Sequence, residues 1–177
     1  MHHIKHRMLP YVLAGSLALG AAAPALAHGV PVGDANDTAS ALDLSSVVMG
    51  HTRRAYTGKI VTFDPFESSI LAADGDVYLD LDLAGTKKFD YYVWVDQNAT
   101  GTTTAKVFKV GRARSLGKAK LTRPNTKTIS VSIPKSLVKR TKRAVGFGAR
   151  TRWQQPADAY GESTLLTDKT SRGTHRF

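Results

Sequence analysis

The sequence predicts an all-β fold, an antiparallel β-sandwich with about seven to nine strands in a single domain. From Leu42 onward, short runs that alternate apolar and polar residues follow one another. Clusters of Gly, Pro, Asp and Asn separate these runs, and no long stretch shows the period of an amphipathic helix. Because alternation with a period of two buries one face of each strand, we expect two sheets packed on a common core.

Seven segments carry this strand pattern. In the clearest one, the odd positions of Val77–Leu83 face the core, while Tyr78, Asp80 and Asp82 face outward. Pro134 ends the sixth segment because it has no N–H to donate to a neighbouring strand. The predicted strands are Leu44–Met49, Gly58–Phe63, Val77–Leu83, Phe89–Asp96, Ala105–Val110, Thr128–Ile133 and Ala144–Arg152.

Two connections have distinct patterns. Ala73–Asp76 contains an Asp-Gly pair, which predicts a tight turn that closes a hairpin with an earlier strand. Lys135–Arg143 lacks alternation and is expected to be a helical turn or a loop.

Residues 1–27 have the layout of a secretory signal peptide that is cleaved after Ala27. The apolar run 9–23 is shorter than the roughly 20 residues that a transmembrane anchor needs. We therefore expect a secreted mature chain without a transmembrane segment. It would consist of a loop over 28–43 that leads into the domain, a sandwich over 44–157, and a C-terminal strand or partly mobile tail over 158–177. With no Cys, a core or bound ions must supply its stability.

Charge is unevenly distributed along the chain, whose formal net charge is +11. Residues 28–96 hold 11 acids and 5 bases, whereas residues 97–157 hold 15 bases and no acid. In a folded sheet this bias predicts a shared positive surface that binds a polyanion. The alternative is a solubilising surface whose cations pair with the acids of the first half. The candidate polymer-binding residues are Arg112, Arg114, Lys118, Lys120, Arg123, Lys139, Arg140, Lys142, Arg143, Arg150 and Arg152.

For a secreted protein, the expected partner is a polyanion or glycan of the cell envelope. Nucleic acid is not expected as a dedicated partner, because no helix-turn-helix, RRM, KH or zinc-finger pattern accompanies the charge. The leading hypothesis is a non-enzymatic binding protein with a basic face. The alternative is a structural or protein-interaction sandwich whose partner and oligomeric state the sequence leaves open.

Aromatic and oxygen-bearing side chains suggest two further sites. Tyr92 and Trp94 share a strand face, and with Trp153 they are candidates for stacking on sugar rings, the alternative being a second core layer. Asp34, Asn36, Asp37 and Asp43 form a dense set of hard oxygen donors suited to a structural calcium. The alternative for this set is Asx-turn and capping chemistry.

The sequence offers little catalytic machinery. The mature chain holds His28, His51 and His175, none in a zinc-binding spacing, and it lacks a G-x-S-x-G motif. Asp80 and Asp82 share a strand face about 6.6 Å apart, between the spacings of retaining and inverting glycosidases. A secreted hydrolase is therefore a third hypothesis, which requires these two carboxylates to lie in a cleft.

The order of these features resembles secreted bacterial β-sandwich domains of the group that contains DOMON domains and family 9 carbohydrate-binding modules, together with small secreted proteins of similar pattern. The motifs are Asp34-x-Asn36-Asp37 leading to Leu42-Asp43-Leu44, Val95-Asp96 before a Gly-containing loop, Thr128–Pro134, and Asp158-x-Tyr160-Gly161. The resemblance implies a jelly-roll-like sandwich without catalytic residues. It also implies a structural calcium near Asp34 and Asp37, and a ligand bound on one sheet face or loop end.

Overall fold

The computed structural model describes residues 29–157 and 162–176, which form two antiparallel sheets packed face to face. A four-residue helix, α1 (Ile70–Ala73), and a 3₁₀ turn, Lys135–Leu137, lie between strands. The predicted signal peptide and the Asp158–Gly161 motif lie outside the described residues. The strands are β1 (Val32–Gly33), β2 (Leu44–His51), β3 (Ala55–Thr62), β4 (Gly75–Asp82), β5 (Tyr91–Gln97), β6 (Thr103–Lys109), β7 (Gly117–Lys118), β8 (Lys120–Asn125), β9 (Thr128–Pro134), β10 (Ala144–Gln154), β11 (Leu165–Lys169) and β12 (Gly173–Arg176).

The smaller sheet has the order β1-β2-β3-β9-β8, and the larger one has the order β11-β10-β4-β5-β6-β7. β12 also pairs with β10, along the same edge as β11. All described pairings are antiparallel, which confirms the predicted all-β sandwich. All seven predicted strands are present, with ends shifted by up to three residues.

The core lies between the sheets and is built by alternate residues of each strand. Val77, Leu79 and Leu81 of β4 are completely buried, as the alternation predicts. Ile129, Val131 and Ile133 of β9 supply the facing layer. Gly58 of β3 has no side chain where the Leu79 side chain approaches, so the two sheets meet closely at that point.

The structure adds five strands that the pattern does not reveal. β1, β7, β8, β11 and β12 are short, and each runs along a sheet edge. An edge strand needs backbone pairing on one side only, so it tolerates weak alternation, and β8 includes Pro124. The C-terminal segment therefore contains two strands that pair with β10.

The hairpin predicted at Ala73–Asp76 is wrong. β3 and β4 belong to different sheets, and the chain crosses between them through α1 before Asp74 and Gly75 start β4. The Asp-Gly signal describes a local turn, whereas the choice of pairing partner depends on which sheet buries the following strand. Among residues 29–157 and 162–176, no helix has the length and hydropathy needed to cross a bilayer.

The close approach at Gly58 gives a test of the inter-sheet packing. In Gly58→Ala the added methyl would clash with the Leu79 side chain and lie 3.3 Å from Cγ2 of Val131. We expect the free energy of unfolding to fall by about 1–3 kcal/mol, measured by urea denaturation. Gly33→Ala is the control, because its added methyl would be 4.0 Å from its nearest neighbour, the carbonyl oxygen of Ser45. An equal effect of both substitutions would contradict this packing.

Candidate functional site

The antiparallel topology gathers exposed cations at one end of the sandwich, which we call the basic end. It consists of the loops over 52–54, 83–90, 109–116 and 135–143, which come from both sheets. The exposed cations of these loops are Arg53, Arg54, Lys87, Lys88, Lys109, Arg112, Arg114, Lys139, Arg140, Lys142 and Arg143.

Backbone hydrogen bonds hold these loops against one another. The N–H of Lys135 donates to the carbonyl of Arg54 at 2.9 Å, and the N–H of Thr141 donates to the carbonyl of Leu83 at 3.1 Å. The N–H of Val110 donates to the carbonyl of Asp90 at 3.0 Å. The four loops therefore present a joint surface rather than separate projections.

Two acids lie at the basic end, and the carboxylates of both accept hydrogen bonds from backbone N–H groups. Asp90 accepts the Leu83 N–H at 2.8 Å. Asp82 is fully buried, accepts the N–H groups of Thr86 and Lys87, and pairs with Arg172. Burial raises the pKa of Asp82, but these hydrogen bonds outweigh it and hold the pKa below its ordinary value. On the described loops of this end, no other acid faces the exposed cations.

The predicted polymer-binding residues divide into two groups. Six of them lie at the basic end, namely Arg112, Arg114, Lys139, Arg140, Lys142 and Arg143. The others lie elsewhere: Lys118 and Lys120 on the edge strands β7 and β8, Arg123 against the carbonyls of Phe66 and Thr126, and Arg150 and Arg152 on β10.

Sequence reasoning missed five cations of the basic end. Arg53, Arg54, Lys87 and Lys88 belong to the half of the chain that is acidic by count, and Lys109 lies within the predicted strand Ala105–Val110. The available signal was their position in turns between strands. Counting acidic and basic residues over a long segment misses this signal, because such a segment contains residues from both ends of the sandwich.

An aromatic layer covers the outer face of the larger sheet. Tyr92 and Phe108 stack with ring centroids 5.1 Å apart, and Tyr78 and Trp94 are parallel at 6.4 Å. Parallel rings on neighbouring strands at these distances face each other along the sheet rather than outward. The Arg150 guanidinium lies 3.7 Å from the Tyr78 centroid.

The residues predicted to stack on sugars do not form one surface. Trp94 donates its indole N–H to Asp76 at 2.7 Å, and Lys106 lies 5.2 Å from the centroid of its ring. Trp153 packs against the core from the other face of its sheet. Tyr92 and Trp94 thus belong to an outer layer in which the ring faces already contact other protein groups. This arrangement corresponds to the alternative interpretation, in which these rings form a second core layer.

Asp80, one of the two candidate hydrolase carboxylates, bridges two strands. Its Oδ2 accepts from Nε of Arg150 at 2.9 Å, although Asp80 is only 7% exposed. Burial raises the pKa of Asp80, and the Arg150 charge opposes this shift. Since Asp82 is bound by the β4–β5 loop and Arg172, both carboxylates already have structural partners.

An acidic cluster lies at the opposite end of the sandwich. Carboxylate oxygens of Asp37, Asp43 and Asp168 lie within 4.8 Å of one another. Asp34, Asp37 and Asp168 line a cavity of about 520 Å³ next to this cluster. The structure therefore brings together Asp34, Asp37 and Asp43 of the predicted calcium set, whereas Asn36 is exposed and does not line this cavity.

Asp43 is the unusual member of the acidic cluster. It is 2% exposed, and neither of its carboxylate oxygens has a hydrogen-bond partner in the described structure. Burial, followed by the charge of Asp168, raises the pKa of Asp43 to about 6. Asp168 lies on β11, where it accepts the N–H groups of Leu44 and Lys169, each at 2.6 Å. The sequence could not indicate Asp168, because it lies in a weakly patterned segment far along the chain from Asp43.

Comparison of the chain with protein-family models, with curated proteins and with solved structures finds no match. The resemblance to DOMON and family 9 carbohydrate-binding domains therefore stays a prediction.

The Arg150–Asp80 pair allows a test of whether Arg150 has a structural role. In Arg150→Ala, Asp80 loses its cation while it stays buried, so we expect the free energy of unfolding to fall by about 2 kcal/mol. The cost is below that of breaking a fully buried pair, because the Arg150 side chain is 37% exposed. Chemical denaturation of this variant, with Arg112→Ala as an exposed control, measures the difference. Equal stability of the two variants would contradict the structural role.

A histidine pair at the basic end predicts a pH dependence of stability. Nδ1 of His51 and Nε2 of His175 are 3.0 Å apart, so one nitrogen must donate to the other. Burial lowers both pKa values below 6.5, and for His51 the nearby Lys135 and Arg140 lower it further. The unfolded chain therefore takes up protons first, and the pair's contribution to stability is lost as the pH falls below about 6.5.

Unfolding measured from about pH 7.5 to about pH 5.5 tests this histidine effect. We expect His175→Gln to weaken the loss of stability on acidification relative to the unsubstituted protein. Identical pH profiles would show that the pair does not control this range.

Proposed function

We propose that this protein is a secreted, non-enzymatic binding protein whose basic end binds an anionic polymer of the cell envelope, such as an acidic glycan. The observation that carries the proposal is the gathering of eleven exposed cations from four loops, namely Arg53, Arg54, Lys87, Lys88, Lys109, Arg112, Arg114, Lys139, Arg140, Lys142 and Arg143. Their fields add, because eleven exposed cations face only two acids at this end, and one of these, Asp82, is paired with Arg172.

The form of this surface favours a polymer over a small molecule. Two cavities of the described structure, of about 520 and 380 Å³, are both lined by residues outside the basic end. Exposed cations on adjoining loops can contact several charges of an extended chain at once, and such contacts reinforce one another. A single small anion would use only a few of them.

The location of the basic end also supports this function. The four loops lie at the end of the sandwich, where the strands anchor them and leave their surface exposed to solvent. The resemblance to carbohydrate-binding sandwiches implies a ligand on a sheet face or a loop end, and the basic end is a loop end that carries many exposed cations. The signal-peptide pattern of residues 1–27 would bring this surface to the envelope.

Co-sedimentation of the purified protein with an isolated cell-envelope fraction tests the proposal. We expect binding at about 0.05 M NaCl that falls steeply at about 0.5 M NaCl, because salt screens exposed charges. Combined substitution of Lys139, Lys142 and Arg143 by Gln should weaken binding about tenfold, given up to about 1 kcal/mol for each exposed ion pair.

The matched control replaces Lys59, Lys118 and Lys120 by Gln. This variant removes the same charge from exposed positions outside the basic end, and two of its residues belong to the sequence-predicted set. We expect it to bind almost as the unsubstituted protein does. Equal weakening by both triple substitutions would show that net charge alone drives binding. A lack of binding at low salt would overturn the proposal in favour of a protein-interaction or structural role.

A further inference from the structure

The acidic cluster joins two segments that are distant in the sequence. Asp34 follows β1, and its N–H donates to the Ser45 carbonyl at 3.0 Å, which ties the N-terminal loop to β2. Asp43 immediately precedes β2, whereas Asp168 lies on β11 of the other sheet. A ligand between these carboxylates would therefore connect the two sheets.

Asp43 is the buried member of the cluster that has no hydrogen-bond donor. Both of its oxygens are buried, and no donor in the described structure reaches them. Oδ2 of Asp34 is in the same situation. Burying an ionised carboxylate without a hydrogen bond or a cation is strongly unfavourable, so these oxygens call for a positively charged ligand.

The spacing of the oxygens suits one ion. Calcium binds its oxygen ligands at about 2.3–2.6 Å, so two ligands on opposite sides of it lie about 4.6–5.2 Å apart. The oxygens of Asp37, Asp43 and Asp168 all lie within 4.8 Å of one another, so a single centre can reach all three. Asp37 is exposed and leaves a route by which an ion enters.

We propose that Asp34, Asp37, Asp43 and Asp168 bind one Ca²⁺, which fastens the N-terminal loop to strand β11. The donors are all carboxylates, which suit a hard cation, whereas zinc prefers His and Cys ligands. Calcium accepts six to eight ligands in irregular arrangements, so water can complete a set drawn from a loop and a strand. Magnesium, in contrast, requires near-ideal octahedral geometry and gives up its bound waters reluctantly.

The ion would have a structural role in this chain. It would neutralise the mutual repulsion of four carboxylates and hold the N-terminal segment, β2 and the C-terminal strand together. The chain contains no Cys, so no disulfide performs this function. This inference is independent of the proposed function, because the cluster lies at the end opposite the basic loops.

Calorimetric titration with CaCl₂ and thermal unfolding of the purified full chain test the inference. We expect one ion per chain and a Tm raised by about 5–10 °C when free Ca²⁺ is a hundredfold above its Kd. Asp43→Asn and Asp168→Asn should each weaken Ca²⁺ binding at least tenfold. Asp64→Asn, which removes an exposed carboxylate outside the cluster, should leave the affinity unchanged.

Thermal unfolding of the calcium-free protein distinguishes a calcium site from a group of like charges that binds no ion. With EDTA present, Asp43→Asn should unfold at the same or a higher temperature than the unsubstituted chain, because it relieves repulsion. The Tm of this variant should not rise when Ca²⁺ is added. Because the variant is folded in EDTA, a failure to fold cannot explain its loss of Ca²⁺ binding. No Ca²⁺-dependent shift, an unchanged shift in Asp43→Asn, or an equal response to Mg²⁺ would overturn the proposal. None of these results depends on whether the basic end binds envelope polymers.

Discussion

The pairing of β4 with β10 is the constraint on which the rest of the molecule depends. It joins strands from distant parts of the chain at the centre of the larger sheet, in register from Gly146 opposite Asp82 to Trp153 opposite Gly75. The inner side of the pair supplies the core layer that contains Leu79 and Phe147. On the outer side, Arg150 of β10 binds Asp80 of β4, so the same register places a buried anion beside its cation. A slip of one residue would exchange the two faces and lose both.

This antiparallel order also produces the separation of charge. Strands β2, β4, β6 and β9 run away from the acidic end, and each is followed by a loop of the basic end, where Arg and Lys are concentrated. Two carboxylates remain at the basic end: Asp82 is paired with Arg172, and Asp90 accepts a backbone N–H, so the exposed cations outnumber them by far. At the other end, carboxylates crowd together around Asp43, whose two oxygens have no hydrogen-bond partner in the described structure, although Arg150, Arg152 and Lys169 line the cavity beside them. The two ends of the molecule therefore differ in character: one carries many exposed cations, and the other holds a cluster of carboxylates.

Much of the fold is readable from local pattern. The alternation in 77–83 predicts both the strand and its buried face, and burial of Leu79 and its neighbours confirms the prediction. The same approach fails at edge strands such as β8 and β12, because pairing on one side imposes few demands on side chains. It also fails for Asp80 and Asp82, which face away from the core as predicted but are buried by their own salt bridges. Burial of an outward-facing residue depends on what the neighbouring strand places over it.

The sequence by itself determined the fold class, the seven principal strands and the oxygen-rich segment at Asp34–Asp43, since these follow from periodicity and composition over a few residues. Only the tertiary structure decided which cations share a surface and which carboxylate completes the acidic cluster. Arg53 and Lys142 meet at one end, and Asp168 reaches Asp43, because strand order brings residues together that are distant in sequence. The physical reason is that strand pairing depends on burial across the whole core, which no local segment encodes.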